Sequence, residues 1–198
     1  MMKLQIDLLR HGESELSHTL RGSLDDALTP LGWQQMQRSI DQSGDPHWDM
    51  IFSSPLQRCR LFAEQLAHQQ QIPLKLDPNL QEMHFGDWEG QSIAMLYQQF
   101  PELLADFWQQ PMQTTLPNAE SMQQFQQRVS RALTNIQQQM QMQQQRRALL
   151  VTHGGVIKLL KCIALDQPLN DLLKMTAELG QLNAFFWDTE QQCLVLGE

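Results

Sequence analysis

Leu4, Ile6, Leu8 and Leu9 gather apolar side chains into a short run near the start of the chain, which predicts a strand over Lys3–Leu9, buried on both faces toward its end. The pattern then alternates between helical and strand periods. Thr29-Pro30 ahead of Leu31, Met36 and Ile40 reads as an N-cap with proline in the first turn, opening a helix that fades at Ser43-Gly44. Met50–Phe52 predicts a second strand. Ser54-Pro55 opens a second helix in the same way, with Leu56, Cys59, Phe62, Ala63 and Leu66 on one face. Ile72, Leu74 and Leu76 alternate into a third strand over Pro73–Leu76, and Asp77–Gly90, with its turn residues and mixed polarity, reads as a loop.

Helical stretches follow at Ile93–Phe100 and Glu102–Trp108. A long helix after Pro117 carries Met122, Phe125, Val129, Leu133 and Ile136 at three- and four-residue spacing. It runs into the glutamine-rich stretch 137–145, read as a solvated helix end because glutamine is a fair helix former. Ala148–Thr152 predicts a strand, Gly154-Gly155 a turn, Val156–Ala164 a helix, and Phe185–Trp187 and Leu194–Leu196 two closing strands. Strands alternating with helices predict an α/β fold, a three-layer sandwich with a mostly parallel central sheet flanked by helices. No internal repeat is evident, and 198 residues fit a single domain over 1–198.

A formal net charge of -8 and a pI near 5.2 oppose non-specific attraction to nucleic acid or to an anionic membrane. A local cluster of arginines can still hold a small phosphorylated metabolite inside an acidic protein. Cys59, Cys162 and Cys193 are odd in number, far apart and outside any C-x-x-C pattern, so neither a disulfide framework nor a structural zinc site is expected. The N-terminal apolar run is broken by Gln5, Asp7 and Arg10, too short and too polar for a signal peptide, and no later stretch is long enough to span a bilayer. The expectation is a cytoplasmic protein with no membrane or nucleic-acid partner; a homodimer is left open.

The chemistry-bearing residues fall at predicted strand ends. Arg10-His11 follows the first strand, Arg58 lies a few residues after the second, and His153 follows the strand that ends at Thr152. Ligands of open α/β sheets bind beyond the carboxyl ends of the strands, so these four side chains can converge. A guanidinium matches phosphoryl oxygens with two parallel donors and stays charged, and a neutral imidazole can attack phosphorus. The Gly154-Gly155 turn leaves backbone N–H groups open at a helix start, a further place for phosphate oxygens. Two other readings stand beside this one. His11, His84 and His153 meeting Asp25, Asp87 or Glu89 would suit a metallohydrolase, although paired arginines repel a divalent ion and no His-Glu-x-x-His spacing occurs. A non-catalytic module that binds a phosphorylated partner is the second.

Five motifs in order, Leu9-Arg10-His11-Gly12-Glu13-Ser14, Asp25–Gly32, Ser53–Arg58, Glu82–Gly90 and Thr152-His153-Gly154-Gly155, resemble the histidine phosphatase superfamily in its phosphoglycerate mutase-like branch. The resemblance implies a phosphohistidine intermediate on His11, with Arg10, Arg58 and His153 completing the phosphate pocket, Glu82 as acid, and no cofactor or metal. Ser14 stands where the family usually has threonine, and Ser17 where an asparagine commonly helps to hold phosphate. Arg21 lies a little after the position where many relatives carry an arginine. Ser17, Arg21 and Gly154 are therefore expected substrate contacts. Glu89 competes with Glu82 for the role of acid, Glu64 is the alternative surface partner of Arg58, and Glu120 is expected to cap the long helix. His84 is expected to order its loop or line the pocket mouth; Trp88, Phe107 and Trp108 are expected in the core or pocket wall. The chain lacks the extra segments of cofactor-dependent mutases, which implies hydrolysis. Residues 20–29 and 80–90 are most similar to bacterial alpha-ribazole phosphatases of cobalamin nucleotide-loop assembly, with a broad-specificity sugar or small-metabolite phosphatase, or a phosphoglycerate mutase, as alternatives.

Overall fold

The computed structural model describes residues 4–44, 47–188 and 193–197. In chain order the elements are β1 (Leu4–Arg10), α1 (Pro30–Gln42), β2 (Met50–Ser53), α2 (Gln57–Gln70), β3 (Leu74–Leu76), α3 (Ile93–Gln99), α4 (Pro101–Gln109), α5 (Met122–Met142), β4 (Arg147–Thr152), α6 (Gly154–Ala164), β5 (Leu182–Asp188) and β6 (Cys193–Leu196). The six strands form one sheet in the order β3-β2-β4-β1-β5-β6. β3, β2, β4 and β1 run parallel, and β5 turns antiparallel against β1 with β6 antiparallel to it.

Strand side chains alternate between faces, and the two cores sort accordingly. Leu4, Ile6 and Leu8 of β1 pack with Met50, Phe52, Ala148 and Leu150 against α5 and α6. Leu9, Ile51, Leu149 and Val151 point the other way, onto Met36 and Ile40 of α1 and Phe62, Ala63 and Leu66 of α2. Helices cover both faces, which is the expected three-layer sandwich. A carboxylate also lies in the second core. Asp7 is 1% exposed, and its Oδ2 accepts from Trp48 Nε1 and Arg147 Nε, both at 2.7 Å. Those bonds satisfy a group that would otherwise be costly to bury.

Several expectations shift in detail. Thr29 caps α1 as predicted, its hydroxyl accepting from Gly32 N at 3.1 Å. Ser54 does not cap α2, which begins three residues later with Leu56 as its N-cap. The Ser54 hydroxyl is held instead by His153 at 2.8 Å, while Asp25 Oδ1 accepts from Gln57 N at 2.7 Å and serves the helix start from outside. Gly154-Gly155 is not a turn; the two glycines are the first residues of α6, with His153 as its N-cap. The loop 77–90 holds two short 3-10 turns at Pro78–Leu80 and Gly86–Trp88, and a further one, unforeseen, spans Leu169–Lys174. Lys3 lies outside the described residues. Everything between β3 and β4, residues 77–146, is a single connection that includes α3, α4 and α5.

Candidate active site

The register places Arg10 opposite Thr152 and Ser53 opposite Val151, so β1, β2 and β4 end level with one another. His11, Ser54 and His153 therefore step off the sheet together. His11 and His153 are both buried, with ring centroids 5.2 Å apart at 62°. His11 Nδ1 lies 2.7 Å from the Gly12 carbonyl oxygen. A carbonyl can only accept, so this contact assigns the proton to Nδ1 and leaves a lone pair on Nε2. Burial, then Arg58, Arg10 and Arg21, pull the His11 pKa well below the ordinary imidazole value against the opposing pull of the Gly12 carbonyl. Burial, then Arg58 and His11, do the same to His153.

Both rings are thus neutral in the folded protein at pH values where the unfolded chain, with imidazoles near ~6.5, takes up protons. The unfolded state binds the extra protons, so stability falls as pH drops below that value. The expected loss is at most about 1.4 kcal/mol per pH unit for each histidine, beginning as pH falls through the unfolded value. Urea unfolding at a series of pH values should show this slope, and His153→Gln should roughly halve it; a slope unchanged by that substitution would contradict the assignment.

Arg58 is fully buried. Its Nη1 donates to Asp26 Oδ1 at 3.0 Å and to the Leu24 carbonyl at 2.6 Å, and its Nη2 to the Gly22 carbonyl at 2.8 Å. The surface partner considered from sequence belongs to Arg60, which meets Glu64 at 3.0 Å; two residues along a helix turn Arg58 inward instead. Asp26 is shared. Arg21 Nε stands 3.2 Å from its Oδ2, and Leu16 N donates to that oxygen at 3.0 Å. Burial pushes the Asp26 carboxyl up, but Ser14, the Leu16 amide, Arg21 and Arg58 outweigh it and hold the group below the usual carboxylate range. Arg21 also donates to the hydroxyl of Ser17 at 3.3 Å, and that hydroxyl accepts from Ser14 N at 2.9 Å. Arg10 donates through Nη1 to the Ala177 carbonyl, while its buried Nε has no acceptor among the described residues. Arg10, His11, Arg21, Arg58 and His153 thus gather at one edge, with Ser17 bound to Arg21 on its exposed flank.

Glu82 reaches the same edge from the 77–90 loop. Its Oε2 accepts from Gly155 N at 2.8 Å and its Oε1 from Met83 N at 3.0 Å. The Gly155 amide is therefore not open for phosphate, whereas that of Gly154 has no acceptor among the described residues. A Cβ on Gly155 would collide with Glu82 Oε1, and one on Gly154 would stand 3.0 Å from Arg10 Nε. The glycines are needed for close approach rather than for turning the chain.

Three residues that hold this geometry escape a reading of sequence alone. Arg128 on α5 donates to the carbonyls of Asn79, Gln81 and Glu82 at 2.8–2.9 Å and is paired with Glu120 at 2.7 Å. Glu120 is therefore the partner of Arg128 and not a helix cap. Ser121 caps α5 through a capping box with Gln124, a Ser-x-x-Gln signal that was readable in the chain. Glu89 accepts from the backbone amides of Gly22, Ser23, Leu24 and Phe85 at 2.9–3.2 Å, which binds the segment carrying Arg58's carbonyl partners to the loop that carries Glu82. Both Glu89 oxygens are thereby taken up by backbone amides. Asp26 is the third, the counter-charge to two arginines.

Two cavities meet at Glu82. One, of about 230 Å³, is walled mainly by apolar side chains, Met83, Phe85, Phe107, Trp108, Phe125 and Leu172 among them, and reaches Arg10 and Gly154. The other, of about 480 Å³, is polar and lies beside His84, Gln127, Arg128 and Arg131. Phe107 and Trp108 thus line a pocket wall, Trp88 is core at 2% exposure, and the exposed His84 lines the second cavity.

The model of the histidine phosphatase superfamily (branch 1) matches residues 6–197. The chain is 27% identical over 190 residues, 95% of its length and 92% of the relative's, to a Hydrogenobacter thermophilus protein named for phosphoserine phosphatase activity. It is 28% identical over 180 residues, 89% of the chain and 87% of the relative, to the adenosylcobalamin/alpha-ribazole phosphatase of Escherichia coli. The crystal structure of the alpha-ribazole phosphatase from Shigella flexneri superposes with a TM-score of 0.83 at 27% identity, covering 98% of this chain and 95% of that one. With the motif order, the sheet and the family match in agreement, the chain belongs to the histidine phosphatase superfamily, branch 1.

Proposed function

We propose that the protein is a phosphomonoesterase that works through a phosphohistidine on His11, with alpha-ribazole 5'-phosphate as its leading substrate. The observation that carries the reading is the His11 ring, fixed by Gly12 with its Nε2 lone pair free and surrounded by Arg10, Arg21 and Arg58. Nε2 attacks phosphorus as the ester P–O bond breaks. Arg10, Arg58, His153 and the Gly154 amide meet the charge on the phosphoryl oxygens, in a pocket where fixed donors cost no reorganisation. Arg21 and Ser17 flank the same oxygens.

Glu82 gives a proton to the departing alkoxide, and its carboxylate then takes one from the water that attacks the phosphohistidine. The P–N bond breaks, phosphate leaves, and Nε2 regains its lone pair. Glu82→Gln is expected to lower kcat/KM for alkyl phosphates by about 10²–10⁴-fold, the usual range for general acid catalysis. p-Nitrophenyl phosphate, whose leaving group needs little protonation, should lose far less in its phosphorylation step. Equal losses on both would remove Glu82 from the acid role.

Support for the substrate comes from the named E. coli and S. flexneri relatives and from the apolar cavity beside Glu82, which suits a benzimidazole better than a sugar. The relative named for phosphoserine supports a small-metabolite phosphatase as the second reading. A panel of alpha-ribazole 5'-phosphate, phosphoserine, 3-phosphoglycerate and sugar phosphates, scored by kcat/KM, separates the two. Formation of a phosphoglycerate isomer in place of inorganic phosphate would overturn hydrolysis altogether.

A further inference from the structure

Lys158 has no role in the mechanism above, yet it lies in the wall of the 230 Å³ cavity together with Arg10, Glu82, Gly154 and Gly155. It follows Gly154 by four residues on α6, and residues so spaced share a helix face about 5–6 Å apart. Its ammonium is half-buried and makes no ion pair or hydrogen bond among the described residues. Lys161, three residues further along the same helix, does have an acceptor, the Thr176 carbonyl at 2.7 Å. The wall that Lys158 shares is mainly apolar, with Leu20, Phe107, Trp108, Leu172 and Leu173 in it, and its carboxylate is that of Glu82, whose two oxygens already accept from the Gly155 and Met83 amides. Burial and Arg10 lower its pKa, with Glu82 and Glu178 acting in the opposite direction. A donor placed among apolar and aromatic groups gains most from an acceptor brought by a ligand.

We infer that this cavity receives the leaving group of the ester, and that Lys158 is a specificity-determining residue selecting leaving groups with an apolar body and an oxygen acceptor one helical turn from the phosphoryl group. The inference rests on the phosphomonoesterase reading and adds a substrate class to it. A nucleoside-like leaving group meets the requirement with a ring for the aromatic wall and ribose oxygens for Lys158. A carboxylate is the stronger probe, because an ionised acceptor forms the stronger bond. Arg58 and His11 lie outside this wall while Arg10 and Gly154 belong to it, so the leaving-group site adjoins the phosphate site at those two residues.

The test compares 3- and 4-carboxyphenyl phosphate with phenyl phosphate on wild type and on Lys158→Met, which keeps the apolar length of the side chain. In the wild type, kcat/KM for the better carboxylated ester is expected to exceed that for phenyl phosphate by about tenfold or more, the scale of one charge-assisted bond. The difference should lie mainly in KM. In Lys158→Met the ratio of the two kcat/KM values should collapse toward one, and urea midpoints of the two proteins show whether the fold is intact. Turnover of both esters with a ratio unchanged by the substitution overturns the role of Lys158 alone. No turnover of any ester by the wild type overturns the phosphatase reading, and this assignment with it. A Trp108→Ala variant gives an independent arm: its preference for 1-naphthyl over ethyl phosphate should fall, and an unchanged preference would remove the cavity as the leaving-group site.

Discussion

His11→Ala is expected to lower kcat for p-nitrophenyl phosphate by about 10⁴-fold or more, the scale seen when a covalent nucleophile is removed. The size follows from what no neighbour can replace. His153 lies close by, but its Nε2 is engaged with the Ser54 hydroxyl at 2.8 Å, and its ring sits 5.2 Å from that of His11 at a steep angle. The arginines remain in the variant, so phosphate should still bind and inhibit. Quenching the wild type in alkaline denaturant during turnover of a ³²P-labelled ester should trap a base-stable label that is lost on acid treatment, and the variant should trap none. Full activity in His11→Ala would end the phosphohistidine mechanism.

Asp26→Ala should be the most damaging substitution for stability at the site. It leaves the wholly buried guanidinium of Arg58 without its counter-charge and also removes the partner of Arg21. Breaking one member of a buried ion pair costs about 3–5 kcal/mol. For a chain of this size that is roughly a 10 °C fall in Tm. Replacing Asp26 and Arg58 together by apolar groups is a different case, because the fully buried charge goes with its partner and only Arg21 is left without its carboxylate. Asp26→Leu with Arg58→Met should recover most of the lost stability in urea unfolding while phosphatase activity stays lost. If the double variant were no more stable than Asp26→Ala, the cost would lie in packing and not in the unpaired charge.

The strands and the larger helices were legible because burial writes itself as period: Leu4, Ile6 and Leu8 face one core and Leu9 the other, and Phe62, Ala63 and Leu66 repeat along α2. Arg10, His11, Arg58, Glu82 and His153 were legible through motifs, and the structure brings them to one sheet edge. Asp26, Glu89 and Arg128 were not, for a physical reason. Glu89 and Arg128 are held largely by backbone atoms far away in sequence, the Gly22, Ser23 and Leu24 amides for Glu89 and the Asn79, Gln81 and Glu82 carbonyls for Arg128, while Asp26 meets Arg58 from another loop. A main-chain partner leaves no mark on residue type. The two glycines of α6 misled in the opposite way. Glycine usually marks a turn, but here the missing side chains admit Glu82 and Arg10 against a helix.

The single connection from β3 to β4 has a consequence for how such an enzyme can change over time. It supplies Glu82 and much of the apolar wall, while His11, Arg58 and His153 come from outside it. Mutational drift can therefore rework what the protein accepts, on half-exposed side chains such as Trp108, without disturbing the buried histidines and arginines. A chimera that exchanges residues 83–119 with a relative, retaining Glu82 and its Arg128–Glu120 brace, should carry across the donor's preference for the apolar part of the substrate and keep the recipient's chemistry and its Lys158 contact.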